Sequence, residues 1–383
     1  MADDDISVLI VDDSALMRNL ISKMIAATPG LSVADTAMNG KFALEKIPKC
    51  NPDCVLLDLE MPEMTGIEFL RERKKRGIQT PVIILSSIAE SGAAITMEAL
   101  GLGASDFLQK PSGSISTDIA TVKDRVSELV LVYGGRYRRF KKKTQDTQAA
   151  LAQTATGGGD NAASKSVFSI NLGLGTPPVP KKITPIRQTG KIEVVAIGIS
   201  TGGPEALRVV FSKLDPDLKT PVLVVQHMPP GFTHEFAISL DKICPLDVKE
   251  AEEGDEVIPG RILIAQGDRH LEVSRIGAKV VVNLAKSPQV SGHRPSADVL
   301  FGSVALLYTN RALGVIMTGM GKDGAQQLGN IYREGGLTIG QDEASAVVYG
   351  MPRVAYELGH VMEQVSLEKM GPRISEIAKN SRL

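Results

Sequence analysis

The sequence predicts an α/β protein of two domains. The first is a five-stranded doubly wound parallel sheet, the second an α/β domain with a mostly parallel sheet. Three observations carry this. Short apolar runs alternate with amphipathic stretches in both halves, the signature of βα units. A segment rich in Gly, Pro, Ala, Ser and Thr separates the halves at 134–190. The chain has 383 residues, more than one core serves when domains average about 150 residues.

In the first half, strands are expected over 6–11, 32–36, 54–57, 82–85 and 106–108. Helices are expected over 14–25, 41–47, 67–76, 93–101 and 116–133. The first helix places Leu16, Met17, Leu20, Ile21, Met24 and Ile25 on one stripe, a 3.6-residue period. Residues 134–190 contain Thr156-Gly157-Gly158-Gly159 and Thr176-Pro177-Pro178-Val179-Pro180. Such a composition buries too little apolar surface to fold alone, so 134–190 reads as a flexible basic linker between domains at 1–133 and 191–383. It holds ten Lys/Arg against two Asp/Glu. The cluster Arg136, Arg138, Arg139, Lys141, Lys142 and Lys143 reads as a solvated helix end, with contact to an anionic surface as the alternative.

In the second half, strands are expected over 194–199, 222–225, 257–265, 271–274, 280–284, 313–317 and 337–340. Helices are expected over 203–214, where Pro204 suits a first turn, and over 298–308, 323–334 and 374–379.

Composition excludes several classes. The net charge is −1, which disfavours a globally basic nucleic-acid binder. Trp is absent and aromatics are 4%, a poor basis for base-stacking platforms. No apolar run approaches a membrane span, and Met1-Ala2-Asp3-Asp4-Asp5 is a poor start for a signal peptide. Cys50, Cys54 and Cys244 form no disulfide framework. The expectation is a reduced, cytoplasmic protein.

Chemistry-bearing residues fall where strands end. Asp12 and Asp13 follow the first strand, Asp58 closes the third, Ser86 the fourth and Lys110 the fifth. In a parallel sheet these ends line one crevice. Three carboxylates there require a cation, and hard oxygen donors suit Mg²⁺. A carboxylate beside Mg²⁺ can accept a phosphoryl group, with Ser86 and Lys110 placed to hold its oxygens. Any one of these could be an ordinary loop residue; the set at successive strand ends points to a site.

The motifs Val11-Asp12-Asp13-Ser14, Asp58-Leu59-Glu60-Met61-Pro62, Leu85-Ser86-Ser87 and Gln109-Lys110-Pro111 make residues 5–132 resemble a two-component receiver domain. The resemblance implies a flavodoxin-like fold and phosphorylation of Asp58 from a histidine kinase. It implies Mg²⁺ held by Asp13, Asp58 and the Glu60 carbonyl, with Asp12 acting partly through water. It also places Phe107 where the family keeps its aromatic switch residue.

In the second half, Gly198-Ile199-Ser200-Thr201-Gly202-Gly203-Pro204 joins a strand to a helix. The turn exposes Ser200 among free N–H groups at a helix start. It suits either an anion-binding loop or a nucleophile turn. A serine nucleophile needs a base, and His227 lies at the end of the strand over 222–225. His234 and His270 read as surface residues, and His293 as a lining of a substrate groove. Met317-Thr318-Gly319-Met320-Gly321-Lys322-Asp323-Gly324 is a third strand-to-helix turn. Asp323 could merely cap its own helix, but Ser200, His227 and Asp323 on three strand-end loops read together as a triad.

These motifs, with Val225-Gln226-His227-Met228-Pro229 and Arg294-Pro295-Ser296-Ala297-Asp298, make residues 191–380 resemble the chemotaxis protein-glutamate methylesterase (CheB) family. The resemblance implies hydrolysis of glutamyl methyl esters, and deamidation of glutamines, on cytoplasmic helices of chemoreceptors. It implies an oxyanion site at the Thr201 and Met320 turns, Arg294 facing the acidic receptor, and a receiver that blocks the site until phosphorylated. The 57 residues of 134–190 depart from the short connector it implies. Two alternatives stay open: a receiver-controlled binding module using the Ser200 turn as an anion site, and a transcriptional regulator, which would need a basic helix-turn-helix output.

Overall fold

The protein is described from a computed structural model that covers residues 5–86, 90–110, 116–155 and 183–383. Ser87, Pro111, the Gly157 triplet and the Pro177 segment lie outside the described residues, as does the stretch Met1–Asp4.

The N-terminal unit runs β1 (Ile6–Val11), α1 (Ala15–Ala26), β2 (Leu31–Ala37), α2 (Gly40–Cys50), β3 (Cys54–Asp58), α3 (Gly66–Lys75), β4 (Val82–Ser86), α4 (Glu90–Gly101), β5 (Asp106–Gln109) and α5 (Ser116–Ala155). Its parallel sheet has the order β2-β1-β3-β4-β5. The central strands β3 and β4 are buried throughout, as the middle of a doubly wound sheet demands, and the edge strand β2 is half-buried. The order reverses between β1 and β3, and the carboxyl ends of these strands open the crevice at that switch.

The C-terminal unit runs β6 (Val194–Ile199), α6 (Gly203–Phe211), β7 (Val222–Gln226), α7 (Phe232–Asp241), β8 (Asp247–Glu250), β9 (Arg261–Ile264), β10 (His270–Ile276), β11 (Lys279–Ala285), α8 (Ala297–Tyr308), β12 (Ala312–Ile316), α9 (Ala325–Arg333), β13 (Leu337–Gln341), α10 (Met351–Glu357), β14 (Glu363–Val365) and α11 (Leu367–Asn380). Seven strands form one parallel sheet, β14-β13-β12-β6-β7-β9-β8, and β10 and β11 form an antiparallel hairpin beside it. The order reverses at β6, so β12, β6 and β7 lie side by side with their carboxyl ends together.

Several expectations are corrected. Leu16 is 80% exposed, because the buried stripe of α1 is Ile21, Met24 and Ile25 and Leu16 lies at its edge. The strand expected over 257–265 shortens to β9. α7, β8, α10 and β14 were not anticipated. They are three to ten residues long, too short for a clear period.

The largest correction concerns the linker. The helix expected to end at 133 runs on to Ala155. Gly134 does not break it, since the helix passes so close to β1 that a Cβ there would come within 2.5 Å of Ile6. The basic cluster is partly engaged. Arg138 donates to the Asp5 carbonyl at 2.6 Å, Lys141 pairs with Asp53 at 2.7 Å, and Arg136 reaches the Ala346 carbonyl of the second unit at 3.0 Å. At the far end, Ile186 and Gly190 donate backbone bonds to Arg333 and Asn310. Both boundaries of the expected linker therefore fall inside packed segments.

The two units share one apolar cluster, in which Leu100 and Phe107 of the first join Leu207, Phe232 and Phe236 of the second. Phe107 stacks on Phe232 with ring centroids 4.8 Å apart.

Candidate active site

β6 carries Ser200 to the carboxyl edge of the second sheet. The turn after it is tight, because Gly202 takes φ +76° with Val347 where a Cβ would sit. β7 delivers His227, and the loop after β12 delivers Asp323. Adjacent strands thus bring the sequence-predicted trio together. Ser200 Oγ lies 3.0 Å from His227 Nδ1, and His227 Nε2 lies 2.7 Å from Asp323 Oδ2. A carboxylate only accepts, so Nε2 carries the proton and Nδ1 presents its lone pair to the hydroxyl.

Asp323 does cap a helix, but not its own. Its carboxylate accepts from the Ala297 N–H at 2.7 Å, the Asp298 N–H at 3.2 Å and the Ser296 hydroxyl at 2.6 Å. It therefore sits on the N-terminus of α8, where backbone N–H groups and the helix dipole favour an anion. Burial pushes its pKa up, but the His227, Ser296 and Ala297 hydrogen bonds win and hold it well below the usual carboxylate range. Ser296 was missed as part of the site. Its place as the residue before α8 reads from sequence as an ordinary cap.

His293 stacks on His227, ring centroids 3.8 Å apart and planes 13° from parallel. It lines the groove as expected. Parallel rings aim their lone pairs along parallel planes, so His227, His293 and Asp323, though close enough together to suggest a metal site, do not converge on one ion. Burial first, then His227, lowers the His293 pKa. His270 is corrected from surface to core. It is fully buried, accepts from the Ser296 N–H at 3.2 Å and contacts the Pro288 carbonyl at 3.1 Å. His234 is exposed, as expected.

Gly319 packs against the Ser200 turn, where a Cβ would lie 2.8 Å from Ser200 Cβ. That brings the Gly319–Met320 turn beside Ser200, with the Met320 side chain 47% exposed. Arg294 lines the cavity beside Ser200 and His227, where its guanidinium donates to Asp268 at 2.9 and 2.6 Å and to the Ser287 carbonyl at 2.8 Å.

A cavity of about 590 Å³ opens onto Ser200 and His227, with Asp323 buried behind them, and its far wall belongs to the first unit. There Arg125 of α5 donates to Thr201 Oγ1 at 3.1 Å, and the buried Asp106 carboxylate of β5 accepts from the Gly202 N–H at 3.2 Å. Burial drives the Asp106 pKa up. Neither residue was picked out from sequence.

In the first unit, Asp12, Asp13 and Asp58 place carboxylate oxygens within 4.8 Å of one another. Lys110 Nζ bridges Asp12 at 2.9 Å and Asp58 at 2.7 Å. The Ser86 hydroxyl accepts from Thr96 at 2.7 Å. Glu60 donates its N–H to Asp58 at 3.3 Å. Burial pushes the Asp58 carboxyl above its usual range against the pull of Lys110. Crowded, partly desolvated carboxylates beside one ammonium are a donor set that a hard divalent cation fits.

Residues 195–374 match the CheB methylesterase family and residues 8–118 the response regulator receiver domain. The chain is 56% identical over 376 residues to a protein-glutamate methylesterase/protein-glutamine glutaminase of Treponema denticola, covering 98% of this chain and 99% of that one. This chain belongs to the CheB methylesterase family. A second relative of the same description, from Treponema pallidum, is 50% identical over 98% of each chain. The crystal structure of the Thermotoga maritima CheB methylesterase catalytic domain aligns with 49% of this chain and all of that one, at 39% identity and TM-score 0.48. The protein is a receiver-bearing protein-glutamate methylesterase/protein-glutamine glutaminase of chemotactic adaptation, and its acidic cluster is of the Mg²⁺-binding receiver type. Among the described residues no helix is long and apolar enough to cross a membrane.

Proposed function

We propose that Ser200 is the nucleophile that cleaves glutamyl methyl esters and glutamine amides on cytoplasmic chemoreceptor helices. His227 takes the hydroxyl proton at Nδ1 and returns it to the departing methanol or ammonia. Asp323, kept ionised by the α8 N-terminus, holds the Nε2 proton and stabilises the imidazolium. The ring is turned relative to the chymotrypsin arrangement, in which Nε2 faces serine, and the roles are unchanged. The N–H groups of the Thr201 and Met320 turns receive the oxyanion; one such donor is worth about 10²–10³ in rate. The observation that carries the proposal is the continuous Ser200–His227–Asp323 hydrogen-bond chain. Fluorophosphonate labelling tests it. Ser200 is labelled in the parent chain and not in His227→Ala; equal labelling of both contradicts it.

Asp58 is the phosphoacceptor, supplied by a histidine kinase. Asp12, Asp13, Asp58 and the Glu60 carbonyl would hold Mg²⁺, which supplies charge neutralisation for phosphoryl transfer. Lys110 and Ser86 engage the phosphoryl oxygens. The change reaches the catalytic unit through Phe107, which loosens its hold on Phe232 and uncovers the cavity for a receptor. An enzyme acting on cytoplasmic receptor helices is itself expected in the cytoplasm.

A further inference from the structure

We propose that Gln226 is a positioning residue for the hydrolytic reaction, an amide clamp that ties the nucleophile turn to the strand carrying the general base. It rests on reading Ser200, His227 and Asp323 as the triad. Gln226 closes β7 and is 2% exposed. Its Nε2 donates to the Ser200 carbonyl at 3.0 Å and to the His227 carbonyl at 3.0 Å. Both hydrogens of one NH₂ group therefore go to the backbone of the two residues that must exchange a proton. An amide has two such donors, and turning it over would aim Oε1 at two carbonyl oxygens.

The other end of the amide shows what the clamp demands. Oε1 is buried without a hydrogen-bond partner, an arrangement that destabilises a fold. A side chain chosen for packing alone would be apolar here. The position retains an amide, and its donors are what it uses. Gly203 makes the room. A Cβ on Gly203 would lie 1.8 Å from Oε1 and 2.8 Å from Cδ of Gln226, and its three nearest atoms all belong to that side chain. A side chain at the start of α6 would therefore meet Gln226 before anything else, and the glycine leaves the amide its place. Displacement of reacting groups by about 1 Å can lower a rate 10²-fold, and the Ser200–His227 bond is what the clamp fixes.

The test uses the full chain with a small acyl phosphate as phosphodonor. Methanol release from methylated receptor membranes gives kcat and KM, fluorophosphonate labelling gives the reactivity of Ser200, and thermal unfolding reports folding. Gln226→Ala, and Gln226→Met, which keeps the volume without the donors, are expected to lower kcat and the labelling rate at least tenfold with KM unchanged. Gly203→Ala in the parent chain is expected to do the same by expelling Gln226. In the Gln226→Ala background, Gly203→Ala is expected to have no further effect on kcat, because the space is vacant. A folded Gln226→Met with parental kcat and labelling overturns the inference, as does a Gly203→Ala loss that persists undiminished in the Gln226→Ala background. A parent chain that is not labelled at Ser200 overturns the triad itself.

Discussion

At the scale of single residues, two carboxylates are pushed in opposite directions by their surroundings. Asp323 is drawn down by hydrogen bonds it accepts, and Asp58 is pushed up by burial. Asp323 thus stays ionised beside the imidazole that, in the proposed mechanism, becomes positive. Asp323→Asn keeps the shape but leaves His227 without an anion, and turnover is expected to fall about 10⁴-fold, read as methanol release with KM unchanged. For Asp58 the sign is reversed. A folded-state pKa above the unfolded one means that stability is highest below the unfolded value and falls as pH rises through the folded value. At neutral pH the ionised group therefore works against the fold. Asp58→Asn is expected to raise Tm at pH 7, and to shrink the rise in Tm that Mg²⁺ produces in the parent chain. At a hundredfold excess over Kd that stabilisation is about 2.7 kcal/mol. A Tm unmoved by Mg²⁺ in the parent contradicts the metal assignment. The triad and the acidic cluster were legible in sequence because each member ends a recognisable strand. Ser296, Asp106, Arg125 and Gln226 were not. They act on residues 27, 96, 76 and 26 positions away, and such partnerships exist only after folding.

At the scale of elements, periodicity located the long strands and helices, and the composition of 134–190 hid the second half of α5. Gly134-Gly135 lies inside α5, where the missing side chains let the helix approach Ile6. Two effects compete on substituting Ala. Ala favours a helix interior over Gly by about 1 kcal/mol, whereas overpacking a buried contact costs about 1–3 kcal/mol. With a Cβ at 2.5 Å the second wins. Gly134→Ala is expected to lower Tm by a few degrees in thermal unfolding; a raised Tm would mean that α5 stands off β1. The same helix carries Arg125 to the Thr201 turn and Arg136 to Ala346. α5 is thus both the last element of the receiver and a wall of the active-site cavity.

At the scale of the molecule, the two units meet where α4 packs on α7, with β5 and α5 beside them reaching the edge of the Ser200 crevice. The switch aromatic and the nucleophile turn are consequently neighbours, joined by Asp106 and Phe107. Removing the Phe107 ring forfeits its pairing with Phe232, about 0.5–1.5 kcal/mol beyond burial, or up to about tenfold in the closed-to-open ratio. Phe107→Ala is expected to raise methanol release without phosphodonor several-fold and to leave less for the phosphodonor to add. Unchanged basal release would detach the aromatic stack from the gate. The two-domain plan was legible from composition. The mutual fit of the domains was not, since it depends on apolar faces that look in sequence like ordinary core.

Methanol release from methylated chemoreceptor membranes, followed with and without a small acyl phosphate, tests the receiver-gated serine hydrolase most directly. The parent chain is expected to release methanol slowly and to accelerate on phosphorylation, with Ser200→Ala inert in both conditions. Methanol release by Ser200→Ala, or a parental rate indifferent to the phosphodonor, would contradict it.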